Sequence, residues 1–236
     1  MPIVEVGVKR TGQIALGSFL LVLAFGLRAA AAEHPVKLEK DADCATCHED
    51  KTKGKSVHTA IAMGCTTCHD VKTEGDTTTV NLVSPEQELC FTCHEKSKEK
   101  VLHGPYAQGL CVACHDPHTS DFPKQLKADT QDLCLGCHAQ SHLKVDQQAK
   151  TVTTPWGFTL TFDQIKGMQF IGLDKGEMAG HPMEGHPISG RNTALGKIDG
   201  DVTCLSCHQP HASDVRNLMP PGIARDIDLC NKCHKE

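Results

Sequence analysis

The sequence predicts short α-helices and irregular loops wrapped around a stack of groups that the polypeptide does not itself supply, with a small β-hairpin near 151–162. Three observations predict it. One short pattern, Cys-x-x-Cys-His, recurs seven times and consumes all 14 cysteines. Aromatic residues make up 4% of the 236 residues, so a protein core of that composition would be poor. Fifteen histidines are present, about twice as many as the pattern alone requires.

The seven copies begin at Cys44, Cys65, Cys90, Cys111, Cys134, Cys204 and Cys230. Paired thiols alone could form zinc ribbons, redox couples or disulfides, but none of these needs a histidine directly after the second cysteine. Chance would place a histidine after all seven pairs with odds on the order of one in 10^8. The spacing is that of covalent c-type haem, in which each thiol forms a thioether with a porphyrin vinyl group and the next imidazole ligates the iron. The expected attachment residues are Cys44, Cys47, Cys65, Cys68, Cys90, Cys93, Cys111, Cys114, Cys134, Cys137, Cys204, Cys207, Cys230 and Cys233. The proximal ligands are His48, His69, His94, His115, His138, His208 and His234. Seven covalent haems (Fe) follow. Each is a flat apolar body whose burial removes hundreds of Å² from water, worth several kcal/mol at about 25 cal/mol per Å². The haem stack is therefore the expected core.

Along the chain, Lys9 and Arg10 precede an apolar run from Ile14 to Leu27, and Arg28 and the small residues Ala29 to Ala32 follow. That order reads as a secretory signal peptide over 1–32, with Ala30-x-Ala32 before the cut, against the alternative of an uncleaved anchor. Periplasmic or secreted, extracellular localisation is the consequence. Net charge is −5; without Lys9, Arg10, Arg28 and Glu5 it becomes −7, from 21 basic and 28 acidic residues. Haem propionates would add to this, so nucleic acid is excluded as a partner.

Residues 33–142 read as a haem domain holding the first five motifs, one single and two pairs. Residues 143–203 form a cysteine-free insert, and 204–236 carry the third pair. First cysteines within a pair are 25, 23 and 26 residues apart, the mark of a modular array. Leu89, Leu133 and Leu229 precede the second motif of each pair, and acidic residues stand just ahead, as in Asp129-Thr130-Gln131-Asp132. That predicts a short helix carrying the cysteines and the histidine. In the insert, Thr alternates with apolar residues from Thr151 to Phe162 around Pro155-Trp156-Gly157, which predicts the hairpin, with Trp156 packed on a haem or the core. The Gly- and Pro-rich remainder reads as a loop delivering His181 or His186 to iron.

Eight histidines lie outside the motifs: His34, His58, His103, His118, His142, His181, His186 and His211. Seven irons need seven distal ligands, so the count fits bis-histidine ligation with one spare. His118 follows His115 in Cys-His-Asp-Pro-His and His211 follows His208 in Cys-His-Gln-Pro-His, with the proline turning each second imidazole toward a neighbouring iron. His58 and His103 stand ahead of the first and second pairs, and His186 or His181 takes that place for the third. Lys72 stands where the other pairs have His118 and His211. One haem of the first pair is therefore expected to take its ligand from His34, His142 or the second of His181 and His186. Methionine would raise the reduction potential, but Met63, Met168, Met178, Met183 and Met219 read as packing residues.

The stretch Leu102-His103-Gly104-Pro105 to Cys134-Leu135-Gly136-Cys137-His138 resembles the doubled Cys-x-x-Cys-His family of multihaem cytochromes c, and Gly185-His186-Pro187 to His234 looks like a second copy. The resemblance implies closely packed bis-histidine haems acting as a wire in anaerobic or extracellular respiration. Its implied partners are other redox proteins: a membrane quinol-oxidising cytochrome, and outer-membrane or extracellular cytochromes. Assembly into a homopolymer is the other arrangement considered. The expected function is electron transfer without bond-making chemistry, hence not an enzyme. The rival is a nitrite- or hydroxylamine-type multihaem oxidoreductase with one open iron position; no Cys-x-x-Cys-Lys supports it. A haem-storage role would not need matched ligand sets.

Overall fold

In this computed structural model, residues 33–171 and 203–231 are described. The segment 1–32 expected to be a signal peptide, and His181, His186, Cys233 and His234, lie outside them. The elements are brief because five of the motifs each begin with a single 3₁₀ turn. Strand β1 is Ser56–Val57, and β2 (His69–Glu74) and β3 (Thr77–Leu82) form a hairpin. Helix α1 (Glu86–Leu89), strand β4 (Val101–Leu102), helix α2 (Gly104–Ala107) and strand β5 (Thr119–Ser120) follow. Next come α3 (Thr130–His138) and a three-stranded antiparallel sheet of β6 (Lys144–Asp146), β7 (Thr151–Thr153) and β8 (Thr159–Thr161). Strand β9 (Ala212–Ser213) and α4 (Asp226–Cys230) close the described part.

The hairpin expected over 151–162 is present as β7 and β8, and β6 adds a third strand that alternation did not reveal because it has only Val145 between two charged residues. Among the described residues, the helix expected to carry the second motif of each pair runs through the whole motif at α3, where Asp129 caps the N-terminus by accepting from Gln131 N–H at 2.9 Å and Asp132 N–H at 3.1 Å. Helix α1 stops at Leu89 and passes into a tighter 3₁₀ turn over Cys90–Thr92, with Pro85 at its cap position and no side-chain cap.

Two small ladders join the repeat units. Strand β1 pairs antiparallel with β5, and β4 pairs in the same way with β9. In each, the strand leading one unit lies against the segment just after the first motif of the next unit. The first unit's own post-motif segment is instead the β2–β3 hairpin, and the N-terminal segment lies along it: His34 N–H donates to Thr78 O at 2.8 Å and Leu38 N–H to the Thr78 hydroxyl at 2.9 Å. Thr78 is only 1% exposed.

The polypeptide buries little of its own apolar surface. Leu143, Val152 and Leu160 form the one hydrophobic cluster among the described residues, under Leu110, Phe158, Phe162, Ile165 and Met168. Val57, Leu82, Val83, Leu102 and Leu205 are exposed. Val57 and Leu102 occupy the same place in successive units, each directly before a non-motif histidine.

Candidate haem sites

Four of the motifs close on themselves in the same way. His48, His94, His115 and His208 donate their backbone N–H to the carbonyl of the first cysteine of their own motif, at 2.9, 2.9, 3.0 and 2.9 Å. One such turn puts residues i and i+3 on the same side with i+4 beside them, so both sulfurs and the imidazole address one porphyrin.

Five imidazole pairs repeat one geometry. Ring centroids are 6.1 Å apart for His34 and His48, 6.1 Å for His58 and His94, and 6.0 Å for His69 and His118. They are 6.0 Å apart for His103 and His138 and for His115 and His211. Every pair joins one motif histidine to one non-motif histidine. Two imidazoles sharing an iron, each with its nitrogen at about 2.0 Å and its centroid about 1.1 Å farther out, have centroids about 6 Å apart. The gap fits one iron, and the residues present fit the group. Ring planes lie 7° apart in the His69 pair, 19° in the His103 pair, 27° in the His58 pair, 39° in the His211 pair and 67° in the His34 pair.

Hydrogen bonds orient several of the motif imidazoles. His115 Nδ1 lies 2.8 Å from Lys124 O, His208 Nδ1 2.8 Å from Asn217 O, and His138 Nδ1 2.7 Å from Gln169 O. A ring that donates Nδ1–H to a carbonyl keeps its Nε2 lone pair for a metal. His34 does the same on the opposite side of its pair, Nδ1 to Val36 O at 2.7 Å. The accepting carbonyls at Lys124 and Asn217 sit in left-handed backbone, with φ 61° and 57°, and the next residues, Gln125 and Leu218, at 54° and 56°. Such conformations are strained for residues with a side chain and concentrate at functional sites. Burial pushes the imidazoles of His103, His118 and His211 below their ordinary pKa, and the facing His138, His69 and His115 push the same way. Neutral imidazole is the form that binds metal.

The ladders place the non-motif histidines in twos. His58 N–H donates to His118 O at 2.8 Å, and His103 N–H to His211 O at 2.9 Å. Within each rung the two rings serve different motifs: His58 faces His94 and His118 faces His69, while His103 faces His138 and His211 faces His115. His34 repeats the arrangement on Thr78. Accordingly the departure at Lys72 falls in a different place from the one expected. Both motif histidines of the first pair have partners, His118 and His58. The histidine that Lys72 replaces would face back toward the first motif of a preceding pair, and the single motif at Cys44 has no such companion. His34 fills the other position.

Cysteines complete the pattern. The thiols of Cys44 and Cys65 lie within hydrogen-bonding reach, as do those of Cys90 and Cys111 and those of Cys134 and Cys204. Burial, then the neighbouring Cys111, pushes the Cys90 thiol up to about 11. The bond from Cys134 lowers Cys204 to about 7. With haem attached as the motifs predict, these thiols would be thioether sulfurs, so their proximity is the lasting feature.

His142 is exposed and forms no ring pair among the described residues; it lines a cleft of about 500 Å³ with Lys127, Ala128, Asp132, Pro155 and Trp156. Tyr106 escaped the sequence reading. Its ring lies 5.2 Å from that of His211, and its hydroxyl accepts from Ser97 N–H at 2.6 Å. Its only signal was position, three residues after His103 and alone among tyrosines.

Repeated Cys-x-x-Cys-His turns, five of them with the motif histidine facing a second imidazole across the width of an iron, define a multihaem c-type cytochrome whose haem is bound covalently and whose work is electron transport. The chain belongs to the doubled CXXCH motif family, whose sequence model matches residues 58–99, 103–142 and 197–236, more than half of its length. The first two matches begin on His58 and His103, the residues that open the structural units. A multiheme cytochrome, MtrA, from Shewanella baltica (strain OS185), is 28% identical over 155 residues, covering 64% of this chain and 32% of that protein. The chain thus spans about a third of that relative's length. No solved structure matches it. Among the described residues no helix is long and apolar enough to cross a membrane.

Proposed function

We propose that the protein is a heptahaem electron carrier in which every iron is held between two imidazoles and electrons pass along the haems in sequence order. Bound haem supplies a reversible one-electron iron couple; the chain sets its ligands, its spacing and its exposure to water. The observation that carries the proposal is the set of five histidine pairs at 6.0–6.1 Å, each with one motif partner. With both axial positions taken, no iron among them has room for a substrate, which favours a carrier over an oxidoreductase.

The serial order has its own support. Neighbouring cysteines bring together the first and second motifs, the third and fourth, and the fifth and sixth. Shared ladder rungs bring together the second and third, through His118 and His58, and the fourth and fifth, through His211 and His103. Every step from the first motif to the sixth therefore has a structural link, alternating between two kinds. The paired units 58–99, 103–142 and 197–236 act as modules of one conductor, with the single motif at Cys44 as its first member.

The export signal read in the sequence sets this conductor in the periplasm or outside the cell, where it exchanges electrons with other redox proteins. A membrane quinol-oxidising cytochrome on one side and outer-membrane or extracellular cytochromes on the other are the class of partner that fits. Pyridine haemochrome quantitation of the purified protein tests the proposal: seven haems per chain and no spectral change with cyanide are expected. A stoichiometry well below seven, or a haem that binds cyanide at once, would overturn it.

A further inference from the structure

The insert holds a feature that haem ligation does not use. Its β7–β8 hairpin turns through Thr154–Phe158, closed by Thr154 N–H to Phe158 O and Gly157 N–H to Thr154 O, both 2.9 Å, with Gly157 at φ 82°. Thr154 is 2% exposed, and its hydroxyl accepts from Phe158 N–H at 3.1 Å. The turn is therefore firmly built, and Trp156 stands at its tip. The indole Nε1–H donates to Ala113 O at 2.9 Å. Its six-membered ring lies so near Gly136 that a Cβ there would come 2.3 Å from Cζ3 and 2.4 Å from Cη2.

Ala113 and Gly136 are equivalent residues, each just before the second cysteine of its motif, the fourth and the fifth. Both are buried. At this position the other motifs carry Thr46, Thr67, Thr92, Ser206 and Lys232, and only glycine leaves room for an indole. One indole thus rests on the backbones of two haem-binding turns at once.

We infer that Trp156 is a positioning residue that locks the fourth and fifth haem-binding turns together and screens the ground between them from water. It sets the potentials and mutual orientation of that haem pair. The inference rests on the haem reading above. Exposure to solvent is among the levers on haem potential, since water favours the more charged oxidised state. An aromatic wedge that is also hydrogen-bonded keeps that lever fixed.

The test uses the full-length, haem-loaded protein with Trp156→Ala, Trp156→Phe and Gly136→Ala. Haem content is counted first, and redox titration and paramagnetic proton NMR then follow each haem. The expected result for Trp156→Ala is unchanged haem content with two of the potentials shifted downward, and heme-methyl signals moved for the same two haems. Gly136→Ala, which displaces the indole, moves the same pair, and Trp156→Phe moves them less. Loss of thermal stability with every potential and methyl signal in place would reduce Trp156 to packing and overturn the inference. So would an equal shift of all the haems. If Trp156→Ala does not fold, unchanged potentials in the other two variants overturn it. A wild-type protein without covalent haem would instead overturn the underlying reading.

Discussion

His69 and His118 belong to different repeat units, yet their rings face each other 6.0 Å apart with planes only 7° from parallel. The chain brings them together through the β1–β5 ladder, where Val57 pairs with Thr119 and His58 N–H reaches His118 O. Asp116 helps, because its Oδ1 accepts from the N–H groups of His118 and Thr119 at 2.8 and 3.1 Å and fixes the turn through Pro117.

Removing one imidazole from this pair should open one iron. His118→Ala is expected to turn one haem high-spin and cyanide-binding while the remainder stay low-spin. His118→Met, if the thioether reaches the iron, should raise one potential, as methionine ligation does. Visible spectra with and without cyanide, and a redox titration, check both.

Lys72 and His34 give opposite predictions from the same geometry. Lys72→His supplies an imidazole that no iron needs, so haem spectra and potentials should not change. His34→Ala removes the ring that faces His48 and should produce one high-spin haem. A spectral change in the Lys72 variant equal to that in the His34 variant would contradict the unit logic.

Thr78 anchors the segment that carries His34. Its hydroxyl accepts from Leu38 N–H at 2.9 Å and shares a hydrogen bond with the Thr73 hydroxyl at 2.8 Å. Thr78→Val keeps the shape and leaves the half-buried Leu38 N–H unmatched, at a cost of about 1 kcal/mol. Denaturant titration should show that loss, together with a disturbed signal from the haem of Cys44.

The left-handed residues behind the motif histidines make a separate prediction. Lys124→Val places a β-branched residue at φ 61° and should destabilise by about 1–2 kcal/mol. Weakening the bond from His115 Nδ1–H to this carbonyl also makes the imidazole a poorer donor, so the fourth haem's potential should rise. Lys124→Gly relieves the strain and should leave that potential in place.

What was legible in the sequence were the features that chemistry fixes locally. The Cys-x-x-Cys-His turns, the pairing into units, the β7–β8 hairpin and the surplus of histidines could all be read from spacing. The partners of those histidines could not, because His69 meets His118 and His115 meets His211 across unit boundaries, through ladders only two residues long. Strands as short as Ser56–Val57 or Ala212–Ser213 carry no periodicity. The left-handed pairs at Lys124–Gln125 and Asn217–Leu218 were hard to see for a different reason: none of these residues is glycine, and only Asn217 is of a type that favours a positive φ.

Low-temperature magnetic spectroscopy of the fully oxidised protein tests the account most directly, since it reports the axial ligands of each iron. Bis-imidazole low-spin signals accounting for all bound haem are the predicted result. A high-spin signal, or one from histidine–methionine ligation, amounting to a full haem per chain would contradict it.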